Sequence, residues 1–287
     1  MTTLTCTQAL TAAQTLGLDR LDAQLLLLHV LGKPDSDRAW LLAHDTDLLP
    51  DAVAQEFQQL SLRRASGEPL AYIVGSKEFF GMTLQVDARV LVPRPDTETL
   101  VEWALHCLAD LPAAARVLDL GTGSGAIALA LKNSQPSLDV TAVDTSTDAL
   151  AVARANASQH QLAIHFIEGS WLDQVDGHFH LIASNPPYVA DADPHLPALA
   201  HEPLQALTAG PDGLSDIRHI IAQATAHLLP QGWLLLEHGY DQAEAVCALL
   251  TQHGFTEVQN RTDLAGINRC SGGRWTGHAG SPPQTAG

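Results

Sequence analysis

Three short stretches of the sequence combine residue types that can bind and activate a small molecule. In the first, residues 117–125, an apolar strand pattern runs into glycines at alternate positions, Gly121, Gly123 and Gly125. Glycine adopts backbone conformations that let a chain approach a ligand closely, and the N–H groups that open a following helix attract polar ligand groups. The spacing is GxGxG, which differs from the GxGxxG of dinucleotide sites, and no P-loop lysine follows. We predict a ligand-binding turn of neither of these nucleotide-binding types.

A carboxylate and an aromatic ring follow at the ends of the next two strands. The apolar run at residues 140–143 ends in Asp144. A carboxylate can accept hydrogen bonds from both hydroxyls of a ribose, and α/β sheets bind ligands at the carboxyl ends of their strands. The alternative is that Asp144 caps the helix that begins near Ser146. After the third strand, Trp171 either covers a planar base or belongs to the core.

The tetrad Asn185-Pro186-Pro187-Tyr188 follows a fourth apolar strand. Two prolines fix φ and remove two backbone donors, so the turn presents carbonyl oxygens that only accept. The Asn185 side-chain oxygen and the Pro186 carbonyl suit the two hydrogens of an –NH2 group, with the Tyr188 ring against its plane. Holding such a weak nucleophile in line with an electrophilic methyl group is catalysis by positioning. A stiff loop without chemistry is the alternative, which the preceding glycine turn and Asp144 disfavour.

The elements that must position these residues follow from hydrophobic periodicity. From residue 93 to residue 276, strand patterns alternate with helical ones, which predicts an α/β domain with a doubly wound parallel sheet. Residues 1–67 have the apolar spacing of a small helical bundle, interrupted at Gly32, Pro34 and Pro50. Residues 68–92 are rich in β-branched and aromatic residues, which predicts a hairpin linker. The Gly- and Pro-rich tail, residues 277–287, is predicted to be disordered.

The composition excludes several classes of protein. The chain has 287 residues, with 15 Lys and Arg against 32 Asp and Glu, a formal net charge of −17. Because binding through phosphates needs clustered basic residues, we expect no direct nucleic-acid partner. Four cysteines without a CxxC pair indicate neither a disulfide framework nor a zinc site, and no metal is expected. No apolar stretch is long enough for a membrane span, so we expect a cytoplasmic protein without a membrane partner.

Together the three motifs resemble the class I S-adenosylmethionine-dependent methyltransferases, and the tetrad resembles the branch that methylates amino and amide nitrogens. Longer stretches narrow the resemblance to the peptide chain release factor N5-glutamine methyltransferase family, also called PrmC or HemK. Those stretches are residues 68–102, 117–132, 142–157, 169–171, 184–189, 202–221 and 232–242. The resemblance implies a Rossmann-like methyltransferase sheet at residues 93–276, joined by a β-hairpin linker to an N-terminal helical domain that binds the release factor.

The resemblance also implies an activity and a set of site residues. The methyl donor is S-adenosylmethionine, and the acceptor is the side-chain amide of the glutamine in the GGQ motif of class I release factors, giving N5-methylglutamine and S-adenosylhomocysteine. The residues implied to bind the cofactor are Gly121, Thr122, Gly123, Ser124, Gly125, Asp144, Trp171 and Asn185. Those implied to form the glutamine pocket and to act in catalysis are Asn185, Pro186, Pro187 and Tyr188.

Two further segments bear on the substrate pocket. The PRPDTE segment resembles the loop that the family packs beside its active site, which implies a supporting role for Arg94, Thr97 and Glu98. A capping box at the start of the next helix is the alternative for these residues. The chain departs from the family at residues 200–203, which read Ala-His-Glu-Pro where Arg-Phe-Glu-Pro or Arg-Tyr-Glu-Pro is common. That departure affects fine contacts to the substrate.

Other functions compete with this interpretation. A glutamine methyltransferase that acts on a ribosomal protein would share the tetrad and the fold. An adenine-N6 or guanine-N2 methyltransferase could use the same tetrad, because an exocyclic amine resembles an amide, but the helical region has more acidic than basic residues and offers no basic recognition surface. The GxGxG spacing disfavours a nicotinamide oxidoreductase, and the intact motifs disfavour a non-enzymatic interaction protein. We predict a monomer that acts on class I release factors.

Overall fold

The computed structural model describes residues 4–277. The chain divides into two compact units, Met1–Ser76 and Lys77–Gly287. Apart from Gly277, the predicted disordered tail lies outside the described residues.

The N-terminal unit is built from helices, as its apolar spacing predicts. Its centre is a run of three leucines, Leu26, Leu27 and Leu28, none of which is accessible to solvent. The first helix begins at a capping box, in which the Thr5 side chain accepts from the Gln8 N–H and the Gln8 side chain accepts from the Thr5 N–H. The helices are α1 (Cys6–Thr15), α2 (Arg20–Val30), α3 (Arg38–Ala43), α4 (Asp51–Ala65) and α5 (Leu70–Val74).

The β-hairpin is shorter than the linker predicted at residues 68–92. Leu70–Val74 of that segment forms helix α5, which ends at Gly75 with a φ of 75°. The hairpin itself comprises strands β1 (Ser76–Phe79) and β2 (Met82–Gln85). The β propensity of this stretch is misleading because Ile73 is buried in the core of the N-terminal unit, and tertiary burial outweighs local preference.

The larger unit contains a seven-stranded sheet in the order β5-β4-β3-β6-β7-β9-β8. The strands are β3 (Arg116–Leu120), β4 (Asp139–Asp144), β5 (His165–Glu168), β6 (Phe179–Ser184), β7 (Leu228–Glu237), β8 (Thr256–Thr262) and β9 (Asn268–Trp275). The helices are α6 (Glu98–Leu108), α7 (Ala126–Ser134), α8 (Thr147–Gln159), α9 (Ser215–Ala224) and α10 (Ala243–Gln252).

Strands β3 to β7 are mutually parallel, which confirms the predicted α/β sheet. Strand β9 is antiparallel to both β7 and β8, and this edge was not predicted from the sequence. The adjacent glycines Gly272 and Gly273 interrupt the apolar alternation that would identify β9 as a strand. Packing requires Gly272, because a Cβ there would lie 2.5 Å from Leu235 Cδ2. The missing side chain lets β9 lie close against the neighbouring strand.

The order of the strands creates a crevice next to β3, where successive strands stop being added on one side of the sheet and begin to be added on the other. From β3 the chain proceeds outward to β4 and β5, then returns to place β6 and β7 on the other side of β3. Ligands of open α/β sheets bind at such a switch point, outside the carboxyl ends of the strands. The Ser184 hydroxyl donates to the Leu120 carbonyl at 2.7 Å and ties the ends of β6 and β3 together. The glycine turn and the Asn-Pro-Pro-Tyr tetrad therefore start side by side.

Candidate active site

The glycine turn depends on backbone conformations that other residues rarely adopt. Gly121 and Gly123 have φ angles of 68° and 53°. A Cβ added to Gly121 would lie 3.2 Å from the Trp171 ring, so the turn and the indole are in close contact. Trp171 also has a positive φ, 50°, a strained conformation that is common at ligand sites. The turn and Trp171 thus form one wall with exposed backbone.

Asp144 lies at the end of β4 with its carboxylate beside the glycine turn. Its Oδ2 accepts from the Gly123 N–H at 2.8 Å and its Oδ1 from the Ser146 N–H at 2.9 Å. Helix α8 is capped by Ser146, whose hydroxyl oxygen accepts from the Ala149 N–H, so Asp144 is not its N-cap. Burial raises the pKa of Asp144, and the backbone donors oppose that shift. Each carboxylate oxygen keeps an acceptor site for a ligand hydroxyl.

A cavity of about 320 Å³ brings together several residues singled out from the sequence. Gly121 and Gly123 line it, together with Asp144, Trp171 and Asn185. A smaller hollow of about 50 Å³ is also lined by Gly121, Gly123 and Asn185. Asn185 therefore faces both spaces.

The smaller hollow is bounded by residues of the PRPDTE segment. Arg94 and Thr97 line it, as do Thr122 and Ser124 of the glycine turn. The Thr122 hydroxyl donates to the buried Asp119 carboxylate at 2.6 Å, so it is already engaged within the protein. These four residues therefore share the smaller hollow with Asn185.

Gly125 is the one glycine of the turn that lines neither space. It precedes α7 with a φ of 86°, and a Cβ there would lie 2.9 Å from Leu129 Cδ1. Its contribution is to let the turn enter helix α7 in a backbone conformation that other residues rarely adopt.

The tetrad is held at both ends by hydrogen bonds. Asn185 Nδ2 donates to Thr97 Oγ1 at 3.2 Å, and the Tyr188 carbonyl accepts from Gln242 Nε2 at 3.0 Å. Pro187 lines the larger cavity, whereas Pro186 and Tyr188 are not among its lining residues within positions 4–277. Tyr188 is half-buried and its hydroxyl donates to Glu237 Oε1 at 3.3 Å. The side-chain oxygen of Asn185 remains available to a ligand.

The PRPDTE segment does not form the capping box considered above. Thr97 makes no side-chain cap at the start of α6. Glu98 Oε1 instead accepts from the Phe80 N–H at 3.1 Å and anchors the β-hairpin. Arg94 forms an ion pair with Glu202, whose Oε2 accepts from the Val92 N–H at 3.1 Å. Glu98 thus stabilises the β-hairpin, and Arg94 stabilises the segment that contains Glu202.

Glu202 belongs to the segment in which the sequence departs from its family pattern. It is 7% exposed, and its carboxylate joins the loop at residues 86–94 to the loop at residues 200–206. Both loops contribute lining residues to the larger cavity, Leu91 from the first and Pro203 from the second. The acidic residue that performs this role is retained although its neighbours differ from the family pattern.

Two buried carboxyl groups at the site were missed in the sequence analysis. Glu237 is 1% exposed, and burial raises its pKa to about 7. The nearby hydroxyls of Thr97 and Tyr188 act in the opposite direction and lower this pKa. Asp119 is fully buried, and burial raises its pKa to about 7 as well. A signal for Glu237 exists, because it ends an apolar strand as Asp144 does.

Residues 4–277 contain no membrane-spanning helix, no metal-binding cluster and no disulfide bond. No helix within residues 4–277 is long and apolar enough to cross a membrane. In the same range no group of His, Cys, Asp and Glu side chains is arranged to hold a metal ion. All four cysteines are free thiols, and burial raises the pKa of Cys107 to about 11, which keeps that thiol neutral at pH 7.

Comparison with known proteins assigns the chain to a family. A family model described as the PrmC N-terminal domain matches residues 4–75, and one described as a methyltransferase small domain matches residues 99–210. A relative from Bordetella pertussis, named release factor glutamine methyltransferase, is 50% identical over 261 residues, which is 90% of this chain and 95% of the relative. The chain belongs to the release factor glutamine methyltransferase family.

A second relative agrees with this assignment, and a solved structure shares the fold. A release factor glutamine methyltransferase of Xylella fastidiosa is 47% identical over 273 residues, covering 94% of this chain and 98% of the relative. The crystal structure of a methyltransferase from Pyrococcus furiosus superposes with a TM-score of 0.53 at 20% identity, over 69% of this chain and 91% of that one. That likeness shows the fold. In this member of the release factor glutamine methyltransferase family, the family-model match at residues 99–210 places a methyltransferase domain within the α/β unit.

Proposed function

We propose that this chain transfers a methyl group from S-adenosylmethionine to the side-chain amide nitrogen of the glutamine in the GGQ motif of class I release factors. The products are N5-methylglutamine and S-adenosylhomocysteine. The observation that carries the proposal is the position of Asn185, which faces both the larger cavity and the smaller hollow. One side chain can thus contact the methyl donor and the acceptor amide, as a transfer between them requires.

The residues of the larger cavity fit S-adenosylmethionine. The glycine turn offers a wall without side chains, and Asp144 retains acceptor sites for two ribose hydroxyls. The Trp171 ring gives an apolar surface for the adenine. When bound, the cofactor supplies an electrophilic methyl group on a positively charged sulfur.

The tetrad prepares the amide nitrogen for attack. In this proposal the Asn185 Oδ1 and the Pro186 carbonyl accept hydrogen bonds from the two N–H groups of the glutamine amide, while the Tyr188 ring contacts its plane. Accepting both hydrogens raises the electron density on nitrogen and restricts its direction toward the methyl group. The nitrogen attacks as a neutral group and loses one N–H proton to solvent after the methyl group is transferred, so no general base is needed before the transfer.

Methylation of a purified class I release factor tests the proposal. With isotopically labelled S-adenosylmethionine, we expect one methyl group per release factor, mapped by mass spectrometry to the GGQ glutamine. A release factor in which alanine replaces that glutamine is the control and should remain unlabelled. Label in a ribosomal protein or in nucleic acid, with none in the release factor, would support the competing activities instead.

We further propose that the N-terminal unit contacts the release factor. A shallow groove of about 590 Å³ on this unit is lined by Leu21 and Leu42, which are 47% and 66% exposed, and by Arg20 and Arg38. Exposed apolar side chains beside charged ones are typical of protein interaction surfaces. Since two arginines border the groove in an otherwise acidic chain, the matching segment of the release factor should pair apolar residues with an acidic one.

Replacing both leucines by serine (Leu21→Ser with Leu42→Ser) is expected to raise the KM for the intact release factor about tenfold through the lost apolar contact. A short GGQ peptide should be methylated at an unchanged rate, because it lacks the release factor segments that would contact the N-terminal unit. Leu62→Ser is the matched control, since Leu62 is 51% exposed on the same unit outside the groove. An equal loss with the peptide, or with the control variant, would contradict the assignment.

A further inference from the structure

We propose that Glu237 and Thr97 are positioning residues that fix which end of the Asn185 side-chain amide faces the substrate. They do so through a chain of hydrogen bonds whose direction is set by a carboxylate that can only accept. The inference rests on the proposed function, because it concerns the acceptor that Asn185 presents to the glutamine amide.

The three side chains come from three separate elements that meet at the crevice. Asn185 follows β6, Glu237 ends the neighbouring strand β7, and Thr97 precedes α6. Asn185 Nδ2 donates to Thr97 Oγ1 at 3.2 Å, and Thr97 is only 4% exposed. The Tyr188 hydroxyl donates to Glu237 Oε1 at 3.3 Å, whereas Glu237 Oε2 is buried without a hydrogen-bond partner among residues 4–277. The Thr97 hydroxyl lies near enough to lower the pKa of Glu237, so in this proposal it is the donor that serves Oε2.

The direction of this chain follows from the number of protons available. A threonine hydroxyl has one proton, and an ionised carboxylate has none. When Thr97 gives its proton to Glu237, its oxygen can only accept, so it receives a hydrogen bond from Asn185 Nδ2. The Asn185 Oδ1 must then point away from Thr97, where it can accept from an incoming –NH2 group.

Protonation of Glu237 removes this constraint. A neutral carboxyl group can donate to Thr97 Oγ1, which frees the Thr97 hydroxyl to donate to Asn185 Oδ1. The amide of Asn185 can then turn, and its own –NH2 would meet the –NH2 of the substrate. Two donors that face each other leave both unsatisfied, which weakens the bound geometry.

The charged groups around Glu237 place this protonation near neutral pH. Burial is the main cause and raises its pKa to about 7; Asp96 acts in the same direction and Arg269 in the opposite one. Cys270 lies opposite Glu237 across β7 and β9, and burial raises the pKa of its thiol. Tyr188 likewise has a raised pKa and stays neutral as a donor. The ionised, ordering form of Glu237 is thus lost as the pH falls through about 7.

The pH dependence of kcat separates this role from a merely structural one. The wild-type enzyme should lose activity on the acidic side with a midpoint near pH 7, and Glu237→Gln should lack this limb. Because glutamine can donate as well as accept, kcat at alkaline pH should fall about 10- to 100-fold, with the KM for the release factor little changed. Glu102→Gln, an exposed carboxylate on α6, is the matched control and should keep the wild-type profile.

Substitutions at Thr97 test the same series of hydrogen bonds at its central residue. Thr97→Val keeps the shape but has no hydroxyl, so it should reproduce the loss of kcat and of the acidic limb. Thr97→Ser retains the hydroxyl and should restore both. A persistent acidic limb in Glu237→Gln, or full activity in Thr97→Val, would overturn the inference.

A readout without substrate keeps this inference distinct from the proposed function. In protein labelled with ¹⁵N at asparagine, the side-chain –NH2 signals of Asn185, assigned by their absence in Asn185→Ala, should shift with a midpoint near pH 7. That shift should be absent in Glu237→Gln, and its survival there would refute the inference whatever the substrate proves to be. Absence of release factor methylation by the wild-type enzyme, with the shift present, would instead refute the proposed function alone.

Discussion

Replacing Asn185 by alanine is expected to lower kcat for release factor methylation about 100- to 1000-fold, the usual cost of losing a positioned hydrogen-bonding group in an active site. The variant loses the acceptor that faces both the cavity and the hollow. Because Asp144 and the glycine turn are untouched, the affinity for S-adenosylhomocysteine should be largely retained. Transfer, rather than cofactor binding, should therefore carry the loss.

Single-turnover methylation and calorimetric titration with S-adenosylhomocysteine separate these two effects. Asn133→Ala, at an exposed position on α7, is the matched control and should behave as wild type in both measurements. Undiminished transfer by Asn185→Ala would refute the role given to this residue. A parallel loss of cofactor affinity would instead mean that Asn185 acts chiefly in binding.

Replacing Asp144 by asparagine should weaken S-adenosylhomocysteine binding about 10- to 100-fold, as expected when hydrogen bonds to a charged acceptor are lost. The amide –NH2 of asparagine would oppose either the Gly123 or the Ser146 N–H, which are both donors. The variant thus loses an acceptor for the ribose and also disturbs the glycine turn. Calorimetry, with intrinsic tryptophan fluorescence as a second probe, measures the change.

Asp139→Asn provides the control, because Asp139 lies exposed at the opposite end of the same strand. In the wild-type protein, cofactor affinity should fall as acid protonates Asp144, whose pKa is raised by burial. The asparagine variant should not show that dependence. Equal affinities for the Asp144 variant and its control would exclude the ribose contact.

The alternating pattern after residue 93 predicted the parallel strands because most of them are apolar runs separated from the next strand by a helix; β5 is the exception, since no helix lies between it and β6. It did not reveal β8 and β9. The glycines of β9 have low strand propensity, and they are present because close packing against β7 leaves no room for a side chain. Helix α5 was missed for a related reason. Ile73 favours strands locally, but its burial within the helical unit decides its conformation.

At the site, the sequence indicated the residues whose types stand out beside a turn or a strand end. Gly121, Asp144 and Asn185 could each be found in this way, and the structure places all three at one cavity. Glu237 carries the same signal as Asp144, an acidic residue that closes an apolar strand, and it was overlooked. Thr97 was singled out only through the resemblance of the PRPDTE segment, and its contact with Asn185 could not be predicted because the two residues lie 88 positions apart.

By itself the sequence determined the chemistry that this protein can offer: a backbone wall of glycines, a carboxylate at a strand end, and a proline-stiffened amide acceptor. These depend on residue type and on neighbours close in the chain, which local spacing reveals. The tertiary structure alone decided which groups meet, such as Arg94 with Glu202 and Asn185 with Thr97. Those contacts arise from the order of strands in the sheet, because loops distant in sequence converge only where β3, β6 and β7 end together.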